Sequence, residues 1–332
     1  MKWLGFWLKN SRYVALPQSV MPAIVALSMA LPSGHFDFVQ ALLAFAGVIF
    51  AHLGMNLADD YFDYRNKSDV VRNRLHHQGF RARIAKCDYL TSGKATSKQL
   101  LVAVIAFLLI AASFGTIILL YRGITILVLA FAGLALGLFY SCPPLKLSYY
   151  GLGEIVIGIM FGPLLMTGVY FAACGQIDGT IIFTSIPIGL LVMNIIFTHS
   201  VMDQHADKAI SKMTFAILLN KKSYIRFAAF LFNFLPFIIL LVGVLLGMVH
   251  WLYLIAFLTL PHAIWLFDSI SLFLDNDKAK QSPKKWLGRM ENWQAIKDAG
   301  LDWFMIRWYA SRNLITSFCI IIILINIILA LC

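Results

Sequence analysis

The sequence predicts an all-α integral membrane protein with about nine transmembrane helices, forming a single domain over residues 1–332. Of the 332 residues, 60% are hydrophobic and only 13% are charged, about half the charged fraction of a soluble domain. Apolar runs of about 20 residues, the length that crosses a bilayer, recur from one end of the chain to the other. No polar stretch exceeds about 40 residues, which leaves no room for a separate soluble domain.

The distribution of Lys and Arg tests the number of spans. Nine spans can be drawn, at 14–32, 36–58, 98–120, 123–141, 152–173, 180–201, 224–247, 251–274 and 313–331. With these bounds, one side of the membrane holds 26 of the 27 Lys and Arg residues, and the other side keeps only Arg122. This asymmetry predicts a multi-pass protein of the cell (inner) membrane with a cytoplasmic N-terminus. It also accounts for the net charge of +11 without a nucleic-acid partner.

The connection 275–312 is long and polar. Its part 286–308 mixes Trp, Phe, Met and Ile with Lys and Arg. That pattern is typical of an interfacial helix on the cytoplasmic membrane surface. A solvated loop with a few anchoring aromatic residues fits the pattern equally well.

An acidic stripe marks the cytoplasmic end of the second span. Asn56, Asp60 and Asp63 are spaced i, i+4, i+7, so on a helix they share one face. Asp59 lies directly beside them. The stripe therefore presents one amide and two carboxylates to the same side.

A matching cluster ends the sixth span, where Asp203 and Asp207 are four residues apart and His199 lies one turn earlier. Carboxylates on one helix face repel each other, and charges at membrane depth are costly. Two such clusters facing one site would repel each other strongly unless bound cations neutralised them. Hard oxygen ligands suit Mg²⁺, which commonly bridges carboxylates to substrate phosphates. The pattern predicts a Mg²⁺–diphosphate site; the plainer alternative is polar caps where two helices leave the membrane.

The connection between the fourth and fifth spans carries a single cation. Pro143 and Pro144 end the fourth helix. Lys146 lies on the acidic side, where it could neutralise a leaving diphosphate or simply serve as a positive-inside anchor. Glu154, just inside the fifth span, could cap the helix N-terminus or contact substrate.

Together these motifs resemble the UbiA superfamily of intramembrane prenyltransferases. Besides the two acidic motifs, the resemblance rests on ALPQSVMPAIVAL (15–27), PPLKLSYYGLGE (143–154) and FGPLLMTGVY (161–170). It covers most of residues 12–220. The GLGE and FGP features and the stretch DQHADKAISKMTFA (203–216) are most similar to 1,4-dihydroxy-2-naphthoate polyprenyltransferases of menaquinone synthesis.

The resemblance implies nine helices around a lateral, lipid-open cavity with a cytoplasmic cap. It implies Mg²⁺-dependent transfer of a polyprenyl group from an isoprenyl diphosphate to an aromatic acceptor, with 1,4-dihydroxy-2-naphthoate giving demethylmenaquinone. The implied metal ligands are Asn56, Asp60, Asp63, Asp203 and Asp207, and the implied catalytic residues are the four Asp together with Lys146. The candidate substrate-binding residues are Asn56, Lys146, Arg72, Arg74, His199, Tyr140, Tyr149, Lys212 and Arg12.

Two departures from the naphthoate enzymes concern the acceptor more than the chemistry. After Asp69 those enzymes continue with a Gly-rich loop, whereas this chain has a long basic one, and His199 stands where Asn is common. The acceptor needs a cationic or amide contact, for which Arg12, His52 and Asn56 are the candidates.

Three alternatives remain at this level. A related prenyltransferase could use a hydroxybenzoate, homogentisate or a lipid alcohol as acceptor. A cation-coupled transporter or channel would also need acidic side chains, but transporters bind substrate near the midplane, whereas these acids lie toward one face. A non-catalytic prenyl-lipid binding protein would not need two metal-holding clusters. In every case the surrounding membrane lipid is the expected partner.

Overall fold

The described part of the chain is helical almost throughout. The computed structural model describes residues 2–65, 87–209, 212–276 and 281–332. Within them, β-pairing is limited to one isolated parallel bridge between Tyr150 and Met213. The all-α prediction is therefore confirmed. Arg72 and Arg74, two candidate substrate contacts, lie outside the described residues.

Ten main helices are present in the described residues. They are α1 (Lys2–Asn10), α2 (Pro17–Ala30), α3 (Phe38–Arg65), α4 (Ser97–Arg122), α5 (Ile124–Ser141), α6 (Gly153–Cys174), α7 (Gly179–Met202), α8 (Lys222–Leu245), α9 (Trp251–Asp275) and α10 (Asp302–Leu331). α6 contains a π-helical turn at Met160–Leu164, and α9 begins as a 3-10 helix over Trp251–Thr259. The described connections also contain the short helices Asp88–Thr91, Gln204–Ala209, Phe215–Leu219 and Trp293–Asp298.

Eight of the described helices, α3 to α10, are long and apolar enough to cross a membrane. Each of them coincides with one of the predicted spans. The first predicted span, 14–32, corresponds to α2, which has 14 residues. At 1.5 Å per residue α2 is about 21 Å long, shorter than the hydrocarbon core of about 30 Å. The structure thus confirms eight of the nine predicted spans by length and composition.

The stretch 286–308 is not one helix, contrary to its interpretation as an interfacial helix. It consists of a 3-10 turn, the short helix Trp293–Asp298 and the first turns of α10. The reason is local. Gly288 and Gly300 have φ angles of 86° and 70°, and this left-handed conformation, which glycine adopts at little cost, ends a right-handed helix. α10 consequently begins at Asp302, well before the predicted residue 313.

Contacts between helix ends show the alternating direction of the bundle. At the end that carries the basic connections, Arg226 at the start of α8 pairs with Asp275 at the end of α9, at 2.7 Å. At the opposite end, Arg122 closes α4 and donates to the carbonyl oxygens of Ala172 and Ala173 in α6, at 2.9 and 3.1 Å. The Lys and Arg asymmetry of the sequence therefore matches the two ends of the folded bundle.

The backbones of α6 and α7 touch at glycines. A Cβ atom built on Gly162 would lie 2.6 Å from the carbonyl oxygen of Ser185 and would overlap the Cα atom of Gly189. Small residues allow membrane helices to approach this closely. The contact sets the spacing of the helices whose neighbouring ends carry Glu154 and Asp203.

Candidate active site at the basic end of the bundle

Arg12 contacts the acidic stripe of α3. The helix α3 extends beyond residue 58, where the sequence predicted its span to end, so the whole stripe lies on one unbroken helix. The Nη2 atom of Arg12 donates to the carbonyl oxygen of Asn56 and to Oδ2 of Asp59, both at 2.8 Å, and lies 3.3 Å from Oδ1 of Asp60. In return, Nδ2 of Asn56 donates to the carbonyl oxygen of Ser11 at 3.0 Å. Two ion pairs and two hydrogen bonds to backbone carbonyl oxygens thus connect the N-terminal segment to this part of α3.

Asp59 and the two carboxylates of the stripe each accept a hydrogen bond from a hydroxyl group of another element. Asp59 accepts from Ser141 at 2.5 Å, Asp60 from Tyr89 at 3.1 Å and Asp63 from Tyr149 at 2.9 Å. Hydrogen bonds to ionised acceptors are stronger than neutral ones. The end of α5 and two connections of the chain, α3–α4 and α5–α6, are therefore held against the same acidic residues.

The electrostatics of the stripe keep its donors in the donating form. Burial by itself lowers the pKa of Arg12, but the charges of Asp60 and Asp59 outweigh it and raise that pKa above its ordinary value. Burial raises the pKa of Tyr89, and the neighbouring Asp60 raises it further. At neutral pH the guanidinium is therefore charged and the phenol keeps its proton.

The second acidic cluster lies where α7 ends. Asp203 follows the last residue of α7, Asp207 lies in the short helix after it, and the two side chains are 2% and 4% exposed. Nδ1 of His199 lies 3.6 Å from Oδ2 of Asp203, and the His199 ring meets Phe304 of α10 edge-on at 5.2 Å. The backbone N–H of Lys212 donates to the carbonyl oxygen of Asp207 at 2.9 Å.

The connection between α5 and α6 joins the two clusters. The N–H of Gly151 donates to the carbonyl oxygen of Met213 at 2.7 Å, and the N–H of Met213 donates to that of Tyr149 at 3.2 Å. The same Tyr149 bonds Asp63 through its hydroxyl group, while Nζ of Lys212 lies 5.8 Å from the centre of its ring. One aromatic side chain thus links the stripe of α3 to the segment that follows α7.

Lys146 and Tyr140 lie in and beside this connection. Lys146 is half-buried and has a left-handed backbone, with φ at 40°. Its N–H donates to the carbonyl oxygen of Cys142 at 3.0 Å, and its own carbonyl oxygen accepts from the N–H of Tyr149 at 2.7 Å. Tyr140 is half-buried at the end of α5, with its ring 3.5 Å from where a Cβ on Gly153 would stand. The structure therefore groups these two candidates with Tyr149.

Glu154 is buried and accepts hydrogen bonds from two other segments of the chain. It is 2% exposed, and its Oε1 atom accepts from the hydroxyl group of Ser200 on α7 at 2.6 Å. Both of its carboxylate oxygens accept from the N–H of Phe215, at 3.2 and 3.3 Å. Glu154 therefore ties the start of α6 to α7 and to the segment that carries the second cluster.

Sequence reasoning missed several members of the site. Asp59 is the closest carboxylate partner of Arg12, and its position beside the stripe was the available signal. Ser141, Tyr89 and Ser200 contact the acidic side chains from distant parts of the chain. Single hydroxyl groups in apolar or connecting segments carry no spacing pattern, so no sequence signal identifies them.

The acidic side chains form two half-sites rather than one cage. Within the described ranges, no group of three or more His, Cys, Asp and Glu side chains is arranged to hold a metal ion. Mg²⁺ typically binds one or two carboxylates and completes its shell with waters and substrate phosphate oxygens. The donor set consists of oxygen atoms, two carboxylates from each cluster, and this chemistry fits ions that a diphosphate would bridge.

The comparison with known proteins decides the family. The family model described as the UbiA prenyltransferase family matches residues 19–293, a range that contains both acidic clusters and the connection that joins them. The chain belongs to the UbiA prenyltransferase family. It is therefore an enzyme, a prenyltransferase, and not the transporter or binding protein considered from the sequence.

Two curated prenyltransferases are similar over most of the chain. The 1,4-dihydroxy-2-naphthoate octaprenyltransferase of Bacillus subtilis is 24% identical over 264 residues, which cover 79% of this chain and 80% of that protein. The 2-carboxy-1,4-naphthoquinone phytyltransferase of a Synechocystis species is 26% identical over 274 residues, which cover 81% and 83%.

Solved structures share the fold. A UbiA homologue from Archaeoglobus fulgidus bound to GPP and Mg²⁺ has a TM-score of 0.61 and 15% identity, covering 95% of this chain and 99% of that one. A structure of digeranylgeranylglyceryl phosphate synthase has a TM-score of 0.64 and 17% identity, covering 97% and 99%. At such identities the likeness establishes the architecture.

Proposed function

We propose that this protein transfers a polyprenyl group from an isoprenyl diphosphate to 1,4-dihydroxy-2-naphthoate in a Mg²⁺-dependent reaction. The observation that carries the proposal is the pair of buried acidic half-sites linked through Tyr149 and Lys212. The choice of acceptor rests on the Bacillus subtilis and Synechocystis relatives, whose names specify naphthoate-type acceptors. The Archaeoglobus fulgidus homologue, which binds GPP and Mg²⁺, supports the diphosphate and the metal.

The proposed metal ligands are Asn56, Asp60 and Asp63 on α3 together with Asp203 and Asp207 beyond α7. When bound, Mg²⁺ would draw electron density from the diphosphate as the allylic C–O bond ionises. Asp60 and Asp63 lie on α3, whereas Asp203 and Asp207 lie where α7 ends and the next short helix begins, and the diphosphate would bind between these two half-sites.

Lys146 and Lys212 are the proposed cationic contacts of the diphosphate, since both lie on the segments that join the half-sites. Arg12 has a different role from that of an acceptor contact. Its guanidinium bonds Asp59 and lies against Asp60, so we infer that it orients the stripe. His199, at 3.6 Å from Asp203, would orient that carboxylate in the second half-site.

The membrane surroundings suit an allylic cation. Water would hydrolyse such a cation, so the reaction needs a dry cavity, and the long apolar helices of the bundle supply its walls. The acceptor ring attacks the allylic carbon, and the ring carbon then loses its carboxylate as carbon dioxide. We place the site at the cytoplasmic face of the cell membrane because it lies at the Lys- and Arg-rich end of the bundle.

The test is turnover by the purified protein in lipid nanodiscs with an isoprenyl diphosphate, Mg²⁺ and 1,4-dihydroxy-2-naphthoate. Mass spectrometry should show the naphthoate gaining the prenyl group and losing carbon dioxide. Chelation should abolish the product and added Mg²⁺ should restore it. Asp60→Asn and Asp203→Asn should each lower kcat/KM by at least about 100-fold, while Asp88→Asn, a change at an exposed carboxylate, should leave it unchanged.

Two results would contradict this proposal in different ways. Full activity in both Asp60→Asn and Asp203→Asn would show that these residues do not bind the metal ion. The protein could instead prenylate a hydroxybenzoate, homogentisate or a lipid alcohol and leave the naphthoate unmodified. That result would show that the proposed acceptor is wrong and that the proposed prenyl transfer is right.

A further inference from the structure

His52 lies on the acidic stripe but deeper in the membrane. It precedes Asn56 by one helical turn on α3 and is 8% exposed. At 1.5 Å per residue it stands about 6 Å from the level of Asn56 and about 12 Å from that of Asp60. In the function proposed above, a diphosphate bound at the acidic end would direct its apolar chain inward, which would bring the allylic carbon toward the depth of His52.

The contact with Ser19 is the basis for assigning the tautomer of His52. Oγ of Ser19 lies 2.5 Å from Nδ1 of His52 and donates to the carbonyl oxygen of Leu16 at 3.1 Å. A hydroxyl group has one hydrogen, and a carbonyl oxygen can only accept. We assign that hydrogen to Leu16, so that the Nδ1–H of His52 donates to Ser19. The neutral ring then keeps its lone pair on Nε2.

The ring is also held from a second side. Phe161 packs against it with ring centres 5.1 Å apart, and Phe161 belongs to the π-helical turn of α6. Such turns occur frequently at functional sites. Ser19 is fully buried, so water does not compete for Nδ1. Among the residues that the structure describes, Nε2 has no hydrogen-bond partner.

The other two candidate acceptor contacts cannot take a proton. Arg12 bonds two carboxylates of the stripe and has no acceptor atom. Asn56 donates its amide to the carbonyl oxygen of Ser11, and an amide is not a base at neutral pH. Of the three candidates considered for contact with the acceptor, His52 alone offers a basic lone pair.

We propose that Nε2 of His52 binds the ring hydroxyl of the aromatic acceptor and removes its proton during prenyl transfer; this inference rests on the function proposed above. As the O–H bond breaks, its electron pair moves into the ring, and the ring carbon forms a bond to the allylic carbon. The diphosphate leaves with the electrons of the C–O bond. When the ring carbon then releases carbon dioxide, its electrons restore the aromatic ring, and the ring oxygen takes the proton back from the imidazolium.

The first test compares two substitutions of the same side chain. His52→Ala and His52→Gln should each lower kcat by about 100-fold or more, the usual contribution of a general base. His52→Gln retains an acceptor oxygen, so its KM for the naphthoate should stay closer to that of the unmodified protein. The KM for the isoprenyl diphosphate should change by less than about threefold in both. The control is His262→Gln. His262 is a buried histidine on α9 that packs against Trp286, and this variant should retain kcat.

The second test changes the substrate instead of the protein. Mono-O-methyl ethers of the naphthoate lack one ring hydroxyl. The unmodified protein should prenylate one of these ethers at least about 100 times more slowly than the free naphthoate, and His52→Ala should not discriminate between the two. Ser19→Ala, which frees the ring to change tautomer, should lower kcat by about three- to tenfold.

The outcomes separate the two levels of the argument. If His52→Ala keeps its kcat and still discriminates against the ethers, the inference falls while prenyl transfer stands. If the unmodified protein prenylates no hydroxylated aromatic acceptor, the proposed function falls and the role of His52 falls with it. A near-unchanged KM for the isoprenyl diphosphate shows that each variant is folded.

Discussion

Replacing Glu154 by alanine should loosen the second acidic half-site, although Glu154 lies on a different helix. Its carboxylate accepts hydrogen bonds from Ser200 on α7 and from the N–H of Phe215 just beyond the half-site. The segment between these two donors carries Asp203 and Asp207. Without the carboxylate, that segment loses its hydrogen bonds to Glu154 of α6 at both ends.

The expected magnitude follows from what each donor can do afterwards. In the variant, the single hydrogen of the Ser200 hydroxyl group can go to the carbonyl oxygen of Ile196, 2.9 Å away, so this donor stays satisfied. The N–H of Phe215 lies in the first turn of a helix, where no intrahelical acceptor exists. Leaving a buried N–H without a partner costs about 1–3 kcal/mol. Removing a buried carboxylate returns part of its desolvation cost, so we expect a net loss of about 2 kcal/mol.

The assay is thermal unfolding in lipid nanodiscs together with steady-state kinetics. Glu154→Ala should lower Tm by about 4 °C and raise the KM for the isoprenyl diphosphate by about tenfold. Glu154→Gln keeps one acceptor oxygen and should lose about half as much stability. Ser200→Ala should lose still less, because Phe215 keeps its acceptor. An unchanged KM in Glu154→Ala, or a larger loss in Ser200→Ala, would refute this account of the half-site.

Three further changes test other contacts. Tyr149→Phe removes the 2.9 Å hydrogen bond to Asp63 of the α3 stripe and leaves the ring in place. It should raise the KM for the isoprenyl diphosphate by about three- to tenfold. Tyr150→Phe, at an exposed neighbour, should leave that KM unchanged. Gly162→Ala forces α6 and α7 apart and should lower the free energy of unfolding by about 1–3 kcal/mol, while Gly168→Ala, with open space around it, serves as its control in the same thermal assay. Asn326→Leu breaks hydrogen bonds of 2.5 and 3.0 Å on α10; it should reduce stability by about 1 kcal/mol with kcat unchanged, and a fall in kcat would show that α10 is coupled to the site.

Local regularities explain what could be predicted before any coordinates. A helix repeats every 3.6 residues, so the spacing of Asn56, Asp60 and Asp63 places them on one face wherever that helix packs. Charge asymmetry likewise depends only on which segments enter lipid. The points that the sequence did not settle have a local cause as well. Hydropathy indicates which segments enter the lipid, but it does not indicate where a helix begins or ends. It therefore did not predict the length of α2 or the turns at Gly288 and Gly300.

The chain alone therefore specified the membrane class, the basic end of the bundle and two acidic faces at that end. Only the packed helices decided which groups meet across that end. Arg12 meets Asp59, Tyr149 meets Asp63, and Ser19 meets His52. These partners are far apart in the chain, and their contacts depend on how closely and at what depth the helices pack. No local periodicity encodes that depth, because it results from the fit of side chains between helices.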